Sequence, residues 1–299
     1  MNKVLINPEN YKSKYINYVN QCFANWGNEI QYNWAFERKI GQHPSDIIVL
    51  TNENDEVIAG SGLSFRKIKT NKKQSVEIAI FTGSWTLPNA RGRGCFTQII
   101  EIFEQICRDK NIPFLTAFVT ESNGSYRRFK DLNYYCLEAN NILSNDFPFE
   151  NVPDFEIEMY HSNFPVDCYQ IYCANAVNKT TFDYTESEFN GQYINRTNAT
   201  SVVKIEENHF LVEENDTTFR LLYIQDFNLK HIQGLANHVL KTKGKKTMFF
   251  LTDIDKSNAC QAQNFNVVKG FFTVTNVNND QSMVADIFSQ LVINLADKM

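Results

Sequence analysis

Residues 84–107 read SWTLPNARGRGCFTQIIEIFEQIC. An extended segment runs into a proline-containing turn, then a short arginine/glycine loop, then an amphipathic helix. Pro88 stops strand pairing because its nitrogen carries no hydrogen to donate. Downstream, Phe96, Ile99, Ile100, Phe103, Ile106 and Cys107 recur on one helical face. Between them, Gly92 and Gly94 permit positive φ and close approach of backbone to a ligand. The first amides of the following helix have no internal acceptor, and the helix dipole favours negative charge there. Arg91 and Arg93 add positive charge. The loop at 91–96 therefore reads as a cradle for a phosphate or pyrophosphate. An ordinary turn with solvated arginines is the competing reading.

The flanks read as a layered α/β fold. Upstream, 76–85 is a strand with a bulge or bend at Thr82-Gly83-Ser84. Segments 46–51 and 57–65 form a hairpin around the polar turn 52–56. Residues 4–7 make a short strand. Residues 9–39 are helical in one or two pieces, broken at 26–28, and serve either as a cover for the sheet or as an aromatic lid over a substrate. Downstream, 114–119 (FLTAFV) is a buried strand, 124–132 a helix and 134–140 a further strand. The order strand, helix, strand predicts a locally parallel pair in a mixed sheet.

The second half echoes the first. FVTESNGS at 118–125 resembles FLTDIDKS at 250–257, and the surrounding elements recur in the same order, with a helix over 228–240, a strand at 247–252 and another at 267–275. Three prolines and many polar residues in 141–165 put the boundary near 160, giving domains 1–160 and 161–299. The arginine/glycine loop has no equivalent in the second copy, where only Gln225-Asp226-Phe227 separates strand from helix. That copy is expected to lack the anion site.

Composition narrows the function classes. Lys plus Arg number 29 against 34 Asp plus Glu, a net charge of −5, which argues against a general nucleic-acid or membrane-surface binder. The 7 cysteines are scattered without a CxxC pair, which fits a reducing compartment. No apolar run is long enough to span a bilayer, and the first residues lack a leader pattern. A cytoplasmic location is the expectation. The five histidines are isolated at 43, 161, 209, 231 and 238, so no metal site is expected.

Two phosphate-binding motifs fail. A P-loop needs GxxxxGK followed by Ser or Thr, and a dinucleotide fingerprint needs a third glycine where Thr97 stands. Residues 84–134 resemble instead the core of the GCN5-related N-acetyltransferases, the GNAT superfamily. The family's phosphate loop is matched by Arg91-Gly92-Arg93-Gly94-Cys95-Phe96, with Phe96 in place of a small residue. Trp85-Thr86-Leu87-Pro88 resembles the bulged strand and its exit turn, and Asn123, Ser125 and the helix to Asn133-Tyr134 resemble the second cofactor segment. The resemblance implies a tandem fold of two mixed sheets flanked by helices. It implies acetyl-CoA, or another short acyl-CoA, with its pyrophosphate on the amides of 92–96 and its pantetheine arm beside the backbone of Trp85, Thr86 and Leu87. Asn123, Ser125 and Tyr126 would hold its middle.

A thioester needs no covalent enzyme nucleophile, only a neutral, aligned amine and stabilisation of the developing oxyanion. An acyl-Cys95 intermediate is therefore not expected. The family's acid tyrosine falls, by position, on Phe129, which has no proton to give. Tyr126, one turn earlier, is the candidate acid. Glu77, on the strand entering the bulge, and Glu121, after the buried strand, are the candidate bases. The expected activity is acetyl transfer to a primary amine of a small molecule or peptide. The alternative is a non-catalytic acyl-CoA sensor or scaffold, which Phe129 keeps open.

Overall fold

The computed structural model describes residues 2–23, 26–278 and 280–298. The first half begins with β1 (Lys3–Ile6), α1 (Lys12–Cys22) and α2 (Glu29–Tyr32). The helical stretch expected over 9–39 is thus two short helices. Asn28 starts the second, its side-chain oxygen accepting from the Ile30 and Gln31 N–H groups, and Asn33–Glu37 continues it as a π-turn. Positions 24 and 25 of the expected helix lie outside the described residues. Next come β2 (Asp46–Thr51), β3 (Val57–Lys69), β4 (Ser75–Thr86), α3 (Cys95–Asp109), β5 (Phe114–Thr120), α4 (Gly124–Asp131), β6 (Tyr135–Glu138) and β7 (Asn140–Leu143).

The second half repeats this plan. It comprises β8 (Glu158–Tyr160), α5 (Cys168–Asn175), β9 (Thr180–Phe182), α6 (Glu186–Phe189), β10 (Thr200–Ile205), β11 (Asn208–Glu214) and β12 (Thr218–Ile224). It continues with α7 (Leu229–Lys243), β13 (Lys246–Leu251), α8 (Ile254–Ala262), β14 (Asn266–Val268), β15 (Gly270–Asn276), α9 (Ser282–Phe288) and β16 (Leu291–Val292). Even the π-turn recurs, at Asn190–Ile194 after α6.

The two sheets exchange strands. The first runs β1-β2-β3-β4-β5-β15-β6, and the second β14-β7-β13-β12-β11-β10-β8. β15 lies between β5 and β6, antiparallel to both, although it comes from the far end of the chain. β7 lies in the same way between β13 and β14. The segments 134–140 and 267–275, each expected as one strand, are each two strands in different sheets. The chain changes sheet at Ala139 and at Lys269. The two crossings touch, and the Ala139 N–H donates to the Gly270 carbonyl at 2.8 Å. A Cβ on Gly270 would stand 2.6 Å from the Ala139 oxygen, so only glycine fits this approach. The sheets therefore do not divide at residue 160.

The helix stripes account for the layers. Ile99, Phe103 and Cys107 of α3 are fully buried against Ile48, Leu50, Leu63, Phe65 and Leu115 on one face of the first sheet. Tyr15 and Val19 of α1 cover its other face beside Trp85. Further along that face a core shared by both halves joins Ile78, Ile80 and Phe114 to Phe182, Tyr184, Phe250 and Phe272. Each buried side chain of this size contributes roughly 1.5–3 kcal/mol.

Replacing Gly270 by Ala is expected to lower stability by about 1–3 kcal/mol, because backbone rather than a flexible side chain must yield. Urea unfolding measures it. Residues 1–160 and 161–299 made separately should each fail to unfold cooperatively, and mixing them should restore one transition.

Candidate cofactor cleft

β4 carries one extra residue relative to β3. Gly62 pairs with Thr82 and Gly60 with Trp85, so residues 83 and 84 bulge, with Gly83 at φ 59°. The parallel pairing of β4 with β5 covers only Ile78–Ile80 against Phe114–Thr116. Beyond it the strands part. The edge of β4 facing β5 is left with backbone groups available to a ligand.

The loop after β4 faces the same opening. Gly92 and Gly94 both adopt left-handed backbone, at φ 75° and 77°. Gly94 caps α3 without any side-chain hydrogen bond, so the first amides of that helix are not covered by the protein. A Cβ at either glycine would meet nothing within 4 Å. The space is thus vacant of protein, and the glycines answer to backbone conformation and to room for a ligand.

A cleft of about 750 Å³ joins these features. Its lining includes Ser84, Trp85 and Thr86 of β4, Arg91, Gly92, Gly94, Cys95 and Phe96 of the loop, and Asn123 and Ser125 at the start of α4. Asn123 caps α4 through its side chain, which accepts from the Ser125 N–H at 3.1 Å. Arg93 and Leu87 do not line the cleft. Arg91 is exposed, its Nε 3.4 Å from the Thr86 carbonyl.

The expected acid and bases are not brought together. Tyr126 lies outside the lining, and its ring stacks on Phe271 of β15 at 4.3 Å and 10°. Glu77 sits opposite Lys67 near the start of β4. At about 3.3 Å per residue, six residues put it roughly 20 Å from the bulge. Glu121 is exposed on the turn after β5, its N–H donating to the Lys269 carbonyl. Neither carboxylate lines the cleft.

Phe129 is fully buried in the cleft floor. Its ring packs 5.4 Å from Phe81 and 5.4 Å from Phe96. Both departures from the family motif therefore touch. Cys95 is buried, its Sγ 3.8 Å from the Ala90 carbonyl, and burial pushes its thiol pKa up. A thiol so placed is a poor nucleophile. Arg128 and Thr97 also line the cleft, and the sequence reading missed both. Their only signal was position, one residue before Phe129 and one after Phe96.

The second half has the same frame with different contents. β12 carries an extra residue at Leu222, and β12 pairs with β13 only over Thr218–Arg220 against Lys246–Met248. Here the helix start is closed, because the Asn228 side chain accepts from the Lys230 and His231 N–H groups. The gap between β12 and β13 borders the C-terminal segment, where Leu295, Ala296 and Asp297 are buried. Asp297 accepts from the Tyr184 and Tyr193 hydroxyls at 3.0 and 2.7 Å and from the Asn294 N–H at 2.8 Å. Among the described residues no group of three or more His, Cys, Asp or Glu is placed to hold a metal, and no helix is long and apolar enough to cross a membrane.

Residues 7–130 match the family model described as acetyltransferase (GNAT) domain. No curated protein sequence matches the chain. Among solved structures, a GCN5-related N-acetyltransferase from Anabaena variabilis is similar over 92% of this chain and 73% of that one, with TM-score 0.61 and 15% identity. A tandem GNAT protein from the clavulanic acid biosynthesis pathway is similar over 92% and 99%, with TM-score 0.59 and 11% identity. An acetyltransferase-like structure from Pyrococcus horikoshii gives 91% and 89%, TM-score 0.60 and 10% identity. The chain thus has a mixed α/β fold of two similar sheets flanked by helices, in a tandem GNAT-like arrangement.

In the native protein Cys95 should resist alkylation by iodoacetamide at pH 8, where its raised pKa leaves little thiolate, and should react in urea. Peptide mass spectrometry reads both states.

Proposed function

We propose that the chain is an acyl-CoA-dependent N-acyltransferase, moving an acetyl group from acetyl-CoA to a primary amine of a small-molecule or peptide acceptor by direct attack. One observation carries this reading. An uncapped helix start, reached through two left-handed glycines, opens onto the same cleft as a bulged strand that has parted from its parallel neighbour. The first suits a pyrophosphate, and the second offers backbone donors and acceptors to a pantetheine arm.

Acetyl-CoA supplies an already activated acyl group, so the protein's tasks are alignment and charge stabilisation. The amides of the loop and the α3 start hold the diphosphate, with Arg91 and Arg128 supplying positive charge. Trp85 and Thr86 offer backbone beside the arm. The bulge presents a donor for the developing oxyanion. The Tyr15 hydroxyl lies 3.5 Å from the Gly83 carbonyl, on the α1 side of the sheet. In a trans peptide the carbonyl and N–H point apart, so the Ser84 N–H turns toward the cofactor face. Asn228 and the C-terminal segment close the equivalent features of the second half, which gives one cofactor site per chain.

The alternative reading is an acyl-CoA sensor. It is favoured by Phe129, whose buried ring replaces a proton donor. Calorimetry with acetyl-CoA, followed by thiol release across a broad panel of amines, separates the two. Turnover supports the transferase, binding without turnover supports the sensor, and no binding removes both. Gly92→Val with Gly94→Val should weaken acetyl-CoA binding at least tenfold, about 1.4 kcal/mol. Left-handed backbone costs a non-glycine residue about 1–2 kcal/mol, and the new side chains fill the cradle. Unchanged affinity in this variant would remove the reading of the loop.

A further inference from the structure

The departing sulfur needs a partner that the expected acid does not supply. Phe129 has no hydroxyl, Tyr126 stacks outside the cleft, Glu121 is exposed on its turn, and Cys95 is buried against the Ala90 carbonyl. The hydroxyls that do line the cleft are Ser84, Thr86, Thr97 and Ser125. Thr97 and Ser125 lie at the helix starts beside the anion cradle and the α4 cap. Thr86 follows the bulge toward the loop. Ser84 alone sits in the bulge itself, where β4 leaves β5.

Ser84 is also oriented. Its Oγ lies 2.7 Å from the Oγ of Ser61, a fully buried residue on β3. Ser61 in turn lies 3.3 Å from the Gly62 carbonyl, a bond in which only the hydroxyl can donate. With the Ser61 proton on that carbonyl, the short contact is made by Ser84 donating to Ser61. Neighbouring residues place the pair on the cofactor side. Ala59 and Leu63, two residues either side of Ser61, pack under α3. A Cβ on Gly60, by contrast, would strike the Trp85 ring on the α1 side. A hydroxyl is thus parked on a neutral neighbour beside the bulge, with one torsion free to turn it into the cleft.

We propose that the Ser84 hydroxyl is the hydrogen-bond donor to the cofactor sulfur, and that Ser61 is the positioning residue that holds it ready. This rests on the transferase reading above. In the reaction the amine nitrogen bonds the acyl carbon, the carbon–sulfur bond breaks, and its electron pair stays on sulfur. Ser84 swings its proton from Ser61 toward that sulfur and solvates the thiolate without transferring the proton. The surplus proton on the product nitrogen passes to solvent, and the thiolate takes its proton from solvent on release. No oxidant, metal or covalent enzyme adduct enters.

The test uses the full chain with coenzyme A and with desulfo-coenzyme A, which lacks the sulfur. Calorimetry gives the ratio of the two affinities above pH 9, and ultraviolet absorbance of the bound thiolate gives the pH at which the bound thiol titrates. Ser84→Ala should reduce the preference for coenzyme A about fivefold and raise the bound thiol's titration by nearly one pH unit. Desulfo-coenzyme A should bind unchanged, which controls for folding. Ser84→Thr should keep the wild-type values, and Ser61→Ala should shift them part of the way. An unchanged ratio and titration in Ser84→Ala, with both ligands still bound, overturns this proposal and leaves the transferase reading standing. Failure of the wild-type chain to bind either ligand overturns both.

Discussion

The candidate cofactor cleft depends on the pairing of β5 with β15. This ladder runs from Gly270 opposite Thr120 to Asn276 opposite Phe114, the full length of β5. It satisfies one edge of β5 along that length. The other edge is then free to leave β4 after Thr116, because β5 is held in place from its far side. Without β15 the strand would have unpaired groups on both edges beyond that point, an arrangement a buried strand does not tolerate. The same strand fixes the surroundings. Phe271 stacks on Tyr126 and so anchors α4, while Phe272 packs 4.9 Å from Phe118. The second half therefore braces from behind the strand and helix that wall the first half's cleft.

The exchange is reciprocal in frame and unequal in content. β7 supports β13 as β15 supports β5, and each half has a bulged strand that parts from a parallel neighbour. Three local differences break the equivalence. A left-handed glycine bulge in β4 becomes buried Leu222 in β12, an open helix start becomes one capped by Asn228, and an open gap becomes one bordered by the chain's C-terminal segment. The last is tied down by Asp297, whose buried carboxylate accepts two tyrosine hydroxyls, and by Gln192, which donates to the Ala296 carbonyl. A buried carboxylate is held in place by its donors, since burial without them costs several kcal/mol.

Much of the frame was legible because local rules decide it. The stripe of α3, the glycines of the loop, the apolar run of β5 and the duplicated order of elements all follow from period, φ preference and burial. The strand exchange was not. An apolar run reports that a strand is buried and says nothing about which sheet buries it. Ala139 and Lys269 carry no turn signal, and Gly270 reveals its role only when Ala139 stands 2.6 Å from its missing Cβ. Site residues chosen for backbone contacts largely line the cleft, since a loop's path follows from its own sequence. Glu77, Glu121 and Tyr126 were chosen for side-chain chemistry, which depends on direction, and direction depends on register and helix phase. Ser84 carried no pattern at all, because a serine in a bulge looks like any turn residue until Ser61 is found beside it.

The two departures from the family motif form a single packing unit. Phe129 meets both Phe96 and Phe81 edge to face, and Tyr134 closes the group 4.8 Å from Phe129. A small residue at 96 would leave a void against Phe129, and a hydroxyl on Phe129 would be introduced among three other rings. The pair therefore makes sense together, as an apolar floor under the cleft. Such a floor excludes water, and with less water every fixed donor above it acts more strongly on charge. On the transferase reading proposed above, charge stabilisation falls to the strand edge, where Tyr15 holds the bulge on one side of the sheet and Ser61 on the other.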